Sequence, residues 1–232
     1  REMYAEIIAY CTRGGARAVL MDMVFPDPSG YGVSDDDALG RAIRLSSNTV
    51  SAMTLSRESG ATAAWPAFFP DPRITAPPLE SLLAKPGFPR EFVFRLATIP
   101  VPEIASNSPA IGDVMLNPDS DGTYRRVSLF RIFDRMIVPS LPLAGLVAGE
   151  DGVRVEISGR DYMVNDRRIA VDRHGYVILN FRGPSQTHRT VGAAQVFASI
   201  DQIRRGQKPQ VDPSVFKNRY VLLGCSAFGR MD

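Results

Sequence analysis

The sequence is poor in the residues that most often build metal or redox sites. It holds two cysteines, Cys11 and Cys225, at opposite ends of the chain, and two histidines, His174 and His188. Their spacing fits neither a zinc site nor a CxxC redox motif. The cysteines leave two readings open, one bridge or two buried thiols. Long apolar runs are also missing. A membrane helix needs about 18 apolar residues, and the nearest stretch, residues 137–148, is shorter and contains Pro139 and Pro142. No leader-peptide pattern opens the chain. Charge of one sign is absent too: 27 basic residues face 25 acidic ones, and no Lys/Arg cluster occurs. A nucleic-acid partner calls for a concentrated basic stripe, so that class is set aside. No GxGxxG, P-loop or HExxH pattern is present.

What is there suits a folded domain. Apolar residues make up 44% and charged residues 22%, which is ordinary globular usage and argues against disorder. A chain of this size buries about 70% of its unfolded surface and needs no metal or disulfide staple. Its length fits one large domain or two small ones.

Residues Met3, Tyr4, Ile7, Ile8 and Cys11 recur at helical spacing and predict an amphipathic helix that stops at Gly14 and Gly15. Residues 18–25 then form an apolar run around Asp22, suited to a strand buried on both faces. Asp35, Asp36 and Asp37 favour the positive end of a following helix. Residues 49–55 read as a second strand. This alternation predicts parallel βαβ units. Residues 60–110 differ, because ten of the eighteen prolines lie there. Proline blocks helix interiors, yet Trp65, Phe68, Phe69, Phe88, Phe92 and Phe94 supply apolar surface to pack. The stretch therefore reads as an ordered, irregular excursion, with one strand over 92–99. Further on, residues 111–116 and 124–133 predict a hairpin. A helix is expected over 141–147. Short strands are expected over 153–157, 161–164 and 168–171, with turns at Gly159 and Asn165. A buried strand is expected over 177–181. Ser199 is placed as the cap of a short helix ending at Gly206, and residues 220–223 form a last strand. The predicted fold is α/β: a mixed sheet with parallel βαβ units flanked by helices, antiparallel hairpin additions and the Pro-rich excursion, in one domain over 1–232.

Four places offer chemistry. Asp22 inside an apolar strand is a carboxylate that is costly to bury unpaired; it either takes part in a ligand site at the strand ends or pairs structurally. Asn117, Asp119, Ser120 and Asp121 precede Gly122, as in a calcium loop. Position twelve of such a loop is Ser128 instead of Glu, and a strand-joining turn needs only Asp-Gly. Gly224-Cys225-Ser226 follows a strand like a nucleophile elbow, but Phe228 replaces the closing glycine and both histidines precede Ser226. Arg125, Arg126 and Arg182 are guanidinium groups suited to an anion, or to salt bridges.

Several segments, in order, resemble the type-two CHASE domain, an extracellular sensor module of bacterial receptors. They are residues 14–25 ending in Asp22-Met23-Val24-Phe25, residues 35–39, Gly112-Asp113-Val114-Met115-Leu116-Asn117 leading to Asp119, Asp121, Gly122 and Arg125-Arg126, then Pro139-Ser140-Leu141, residues 178–184 and residues 220–227. The opening strand and the closing segment of that family are missing from this stretch, so the chain reads as a fragment. The resemblance implies a periplasmic domain between membrane helices, sensing a small-molecule or periplasmic stimulus. It also implies a cytoplasmic output, foremost an adenylate or guanylate cyclase, otherwise a protein kinase. It supplies no catalytic residue and no cofactor for this domain. Ligand-site candidates are Asp22, Asn117, Asp119, Asp121, Arg125 and Arg182, with no metal ligand among them. The competing expectations are a secreted α/β hydrolase using Ser226, and a non-catalytic spacer that forms a homodimer.

Overall fold

A computed structural model describes residues 1–225 apart from 73, 75–77, 85–87, 89, 151–152, 159–160 and 185–186. In chain order its elements are α1 (Glu2–Arg13), β1 (Ala18–Met21), α2 (Val33–Ser46), β2 (Thr49–Ser56), α3 (Leu79–Leu83), β3 (Val93–Phe94), β4 (Leu96–Thr98), α4 (Pro102–Ala105), β5 (Ala110–Asp113), β6 (Arg126–Val127), β7 (Phe130–Phe133), β8 (Met136–Pro139), α5 (Leu141–Gly149), β9 (Val155–Ser158), β10 (Asp161–Val164), β11 (Arg167–Ala170), β12 (Val177–Ile178), α6 (Ala193–Arg204) and β13 (Tyr220–Leu223).

Strands β13, β1, β2 and β5 lie side by side and all run parallel, with β4 antiparallel on the last residues of β2. This is the α/β mixed sheet expected from the βαβ alternation. Successive side chains of a strand face opposite ways, and β1 shows the consequence. Val19 and Met21 pack into a core with Ile8 and Cys11 of α1, Leu39 and Ile43 of α2, Ile104 of α4, and Val196 of α6. Ala18 and Leu20 face the other side, where Leu141 and Ala144 of α5 cover them. A strand sandwiched this way must be apolar at every position, which is why residues 18–21 show no alternation. Close approach makes glycine necessary at several positions, Gly112 and Gly40 among them. A Cβ on Gly112 would lie 2.5 Å from Leu141 Cα, and one on Gly40 would lie 2.1 Å from the Glu103 carbonyl oxygen.

A second sheet, β3-β7-β8, stands beside the first. The Pro-rich stretch builds it in part and packs on it: Trp65 lies 5.1 Å from Phe69 and 6.5 Å from Phe133 between ring centroids. The expectation of an ordered excursion matches this packing, although 92–99 forms two short strands instead of one.

Other expectations are corrected. Residues 111–116 and 124–133 do not make a hairpin: β5 joins the parallel sheet beside β2, and the hairpin partner of β7 is β8. Its turn is carried by Asp134 and Arg135, both at positive φ (44° and 65°), where Asn or Gly is the usual signal. Residues 177–181 are not a buried strand. Only Val177 and Ile178 pair, with β6, and Phe181 is 69% exposed. Ser199 is no cap; it is buried in the middle of α6, where its hydroxyl donates to the Gln195 carbonyl and accepts from the Val211 N–H. Met3 leaves the apolar stripe of α1 and is exposed. Of the two readings for the cysteines, both thiols are free, Cys11 buried and Cys225 exposed. Burial pushes the Cys11 thiol up to about 12. Among the described residues, no helix is long and apolar enough to cross a membrane.

The fit of α5 on β5 yields a test. Gly112→Ala forces Cβ onto the Leu141 backbone, and overpacking of this kind costs about 1–3 kcal/mol. A urea titration is expected to show a lower midpoint with an unchanged slope; an unchanged midpoint would mean that α5 yields freely.

Candidate functional site

A parallel sheet brings the C-terminal ends of its strands to one rim, where ligands of open α/β folds gather. Here the rim carries Asp22 after β1, Arg57 after β2, Asp113 at the end of β5 and Gly224 after β13. The chain steps from β1 to β2 to β5 and then returns to lay β13 on the far side of β1. The order therefore reverses between β1 and β13. At that point the Asp22 N–H donates to the Leu223 carbonyl (2.8 Å), and a Cβ on Gly224 would sit 3.3 Å from Asp22 Cβ. Asp22 and Gly224 thus adjoin. Asp22 lies just beyond the strand and is exposed, which corrects the expectation of a buried carboxylate. Ser226 lies outside the described residues.

The ends of β2 and β5 border a cleft of about 270 Å³, lined by Ser56, Arg57, Glu58, Glu91, Phe94, Met115 and Asn117. Phe94 is its buried aromatic wall. Two guanidinium groups stack on that ring, Arg57 at 5.1 Å and Arg131 at 5.5 Å from the centroid. Arg57 also donates to the Glu91 carbonyl at 2.6 Å. Arg131 pairs with Asp113, and the two side chains are 4% and 1% exposed. Desolvation pulls the Arg131 guanidinium down to about 10, so it stays cationic at neutral pH. Of the sequence-derived candidates, only Asn117 lines this cleft.

The loop after β5 holds the next group. Asp119 and Gly122 close a turn, with the Gly122 N–H donating to the Asp119 carbonyl (2.8 Å) and Gly122 at φ +80°. The carboxylates face arginines. Arg125 Nη1 reaches Asp121 at 2.8 Å and Asp119 at 3.3 Å, while Arg126 bridges Asp119 (2.9 Å) and Asp172 (3.3 Å). Asp172 accepts from the His174 and Tyr176 N–H groups at 2.8 and 2.9 Å. The structure thus joins Asp119, Asp121 and Arg125 in one network that ties the loop after β5 to the turn before β12. Arg182 lies exposed after β12 and belongs to neither group. Among the described residues, no group of His, Cys, Asp or Glu is arranged to hold a metal.

The Arg125 hydrogen bond, helped by the Thr123 N–H, holds the Asp121 carboxyl down to about 2. Asp35 at the start of α2 is lowered to about 2 as well, first by the Ser29 hydroxyl and then by the Glu2 N–H.

Sequence reading missed Arg57, Phe94, Asp113 and Arg131 as a set. One signal was available: Arg131 interrupts the apolar run Phe130-Arg131-Ile132-Phe133, and a cation there needs a buried partner.

The family model for the CHASE2 domain matches residues 1–232, the whole chain. No curated protein and no solved structure matches it.

Two tests follow from the charges. Arg131→Met strands the Asp113 carboxylate and is expected to cost about 3–5 kcal/mol, while Asp113→Leu with Arg131→Met recovers most of it. Equilibrium unfolding of the two singles and the double decides this; a double variant as unstable as the single would refute the pairing. Asp121 and Asp35 bind protons more weakly folded than unfolded. Their stabilisation is therefore complete above the ordinary carboxylate value and fades as pH falls from about 4 toward 2. Asp121→Asn is expected to flatten that part of an acid-unfolding profile and to lower neutral stability by the same amount, a small one because the pair is exposed.

Proposed function

The chain belongs to the CHASE2 family of extracellular sensory domains, and on that premise we propose that residues 1–232 form the periplasmic sensor of a bacterial transmembrane receptor. Its output is a cytoplasmic nucleotide cyclase. The observation that carries the reading is the family match over the full chain. The geometry is in keeping with it. Helix α1 runs back along β1, so it starts on the rim where β13 ends; Arg1 there reaches Asp36 and the Asp27 carbonyl. A module set between two membrane helices requires both connections on one side.

In this reading the domain works by population shift. A stimulus that binds one arrangement of the rim better than another biases the attached helices by its difference in affinity, and by no more. Strands β13, β1, β2 and β5 are hydrogen-bonded neighbours, so a change at the ends of β2 and β5 reaches the end of β13 across two strands. Asp22, Asn117, Asp119, Asp121, Arg125 and Arg182 stay as proposed determinants. In this reading Asn117 makes direct contact with the stimulus, and Asp119, Asp121 and Arg125 hold its loop.

The coding sequence on either side provides the test. Expected are one apolar stretch of about 20 residues on each side and a cyclase domain beyond one of them. Flanks without apolar stretches and without any signalling domain would overturn the proposal.

A further inference from the structure

We propose that the cleft at the ends of β2 and β5 binds a small amphoteric carboxylate of the amino-acid class, with Arg57 holding the carboxylate. Arg57 differs from the arginines around it. Arg125, Arg126 and Arg131 each face a carboxylate. Arg57 is positioned by contacts to uncharged groups: the Phe94 ring at 5.1 Å and the Glu91 carbonyl at 2.6 Å. Among the described residues it makes no ion pair. A planar fork of donors fixed in this way has lost its conformational freedom before a ligand arrives, and its geometry suits a carboxylate.

The other walls narrow the class. The Ser56 oxygen accepts from the Glu58 and Ser59 N–H groups, both at 3.2 Å, and its own proton remains to donate. Asn117 brings an amide that donates and accepts. Glu58 and Glu91 also line the cleft. Two acidic residues and one arginine along the same walls disfavour a dianion and favour an ammonium group. A ligand with one carboxylate and one ammonium matches both signs. The volume, about 270 Å³, lies just below the roughly 300–1,000 Å³ of drug-sized pockets, which is the scale of a single amino acid. Its walls come from β2, from the segment that leads into β3 and from the loop after β5, so an occupant would join the two sheets. The site adds a ligand class to the sensory reading and is tested apart from it.

The test uses the purified domain with L-alanine, L-serine, L-asparagine, propionate, ethylamine and succinate as probes, read by calorimetric titration and by thermal shift. At least one neutral amino acid is expected to bind saturably and to raise Tm by about 5–10 °C at 100 times its Kd. Propionate binds more weakly, and ethylamine and succinate do not bind. Arg57→Ala weakens binding by about 10- to 150-fold, Arg57→Lys weakens it less, and Arg44→Ala, on the exposed side of α2, leaves it unchanged. Circular dichroism and the ligand-free Tm show whether the Arg57 variants stay folded. No binding by any neutral amino acid, tighter binding of succinate, or binding indifferent to folded Arg57→Lys would overturn the proposal. None of these outcomes bears on the flanking sequence, so the receptor reading stands or falls separately.

Discussion

The buried ion pair between Asp113 and Arg131 is the constraint on which the arrangement of the site depends. Asp113 ends β5 in the parallel sheet, and Arg131 sits in β7 of the second sheet. Neither charge is stable in that environment alone, because desolvation of a single buried ion costs several kcal/mol. Together they fix how the two sheets meet. The pair also sets the position of Phe94, whose ring carries Arg131 and Arg57. Moving one sheet against the other would separate the charges and disassemble the cleft. The geometry of the cleft is thus set by an interaction between two residues that do not line it.

Around that fixed point the charges divide by burial. The network of Asp119, Asp121, Arg125, Arg126 and Asp172 is largely at the surface, where each pair contributes little to stability. Its effect is local order: it ties the loop that carries Asn117 to the turn before β12. Asp113 and Arg131 hold the frame, and the surface network holds one wall of the cleft. A sensor needs this division. A frame too soft transmits nothing, and a wall too rigid admits nothing, since elements that respond to ligands come from the less stable parts of a fold.

The βαβ alternation was legible because periodicity and punctuation are local. The apolar run at residues 18–21, the glycine stop after α1 and the acidic start of α2 each act within a few residues. The Pro-rich stretch was legible as ordered because six aromatic side chains have to be buried somewhere. The failures share a cause in pairing at a distance. Residues 111–113 look like a hairpin strand, yet they find a better partner in β2, about sixty residues earlier. Residues 177–181 look apolar enough for burial, yet only Val177 and Ile178 join a strand pair, and Phe181 stays exposed. Ser199 has the chemistry of a cap, and the packing of α6 onto the segment at Val211 made it a buried bridge.

Alone, the sequence determined the class of the fold, the order of its motifs and the family they spell, because these rest on patterns within tens of residues. It also placed Asn117, Asp119, Asp121 and Arg125 in one short segment. Which of them border a cleft and which pair among themselves was decided only by tertiary structure. So was the union of Arg57, Phe94, Asp113 and Arg131, residues spread over seventy-five positions. The physical reason is that parallel strands need long connections, so the side chains meeting at their ends are never neighbours in sequence.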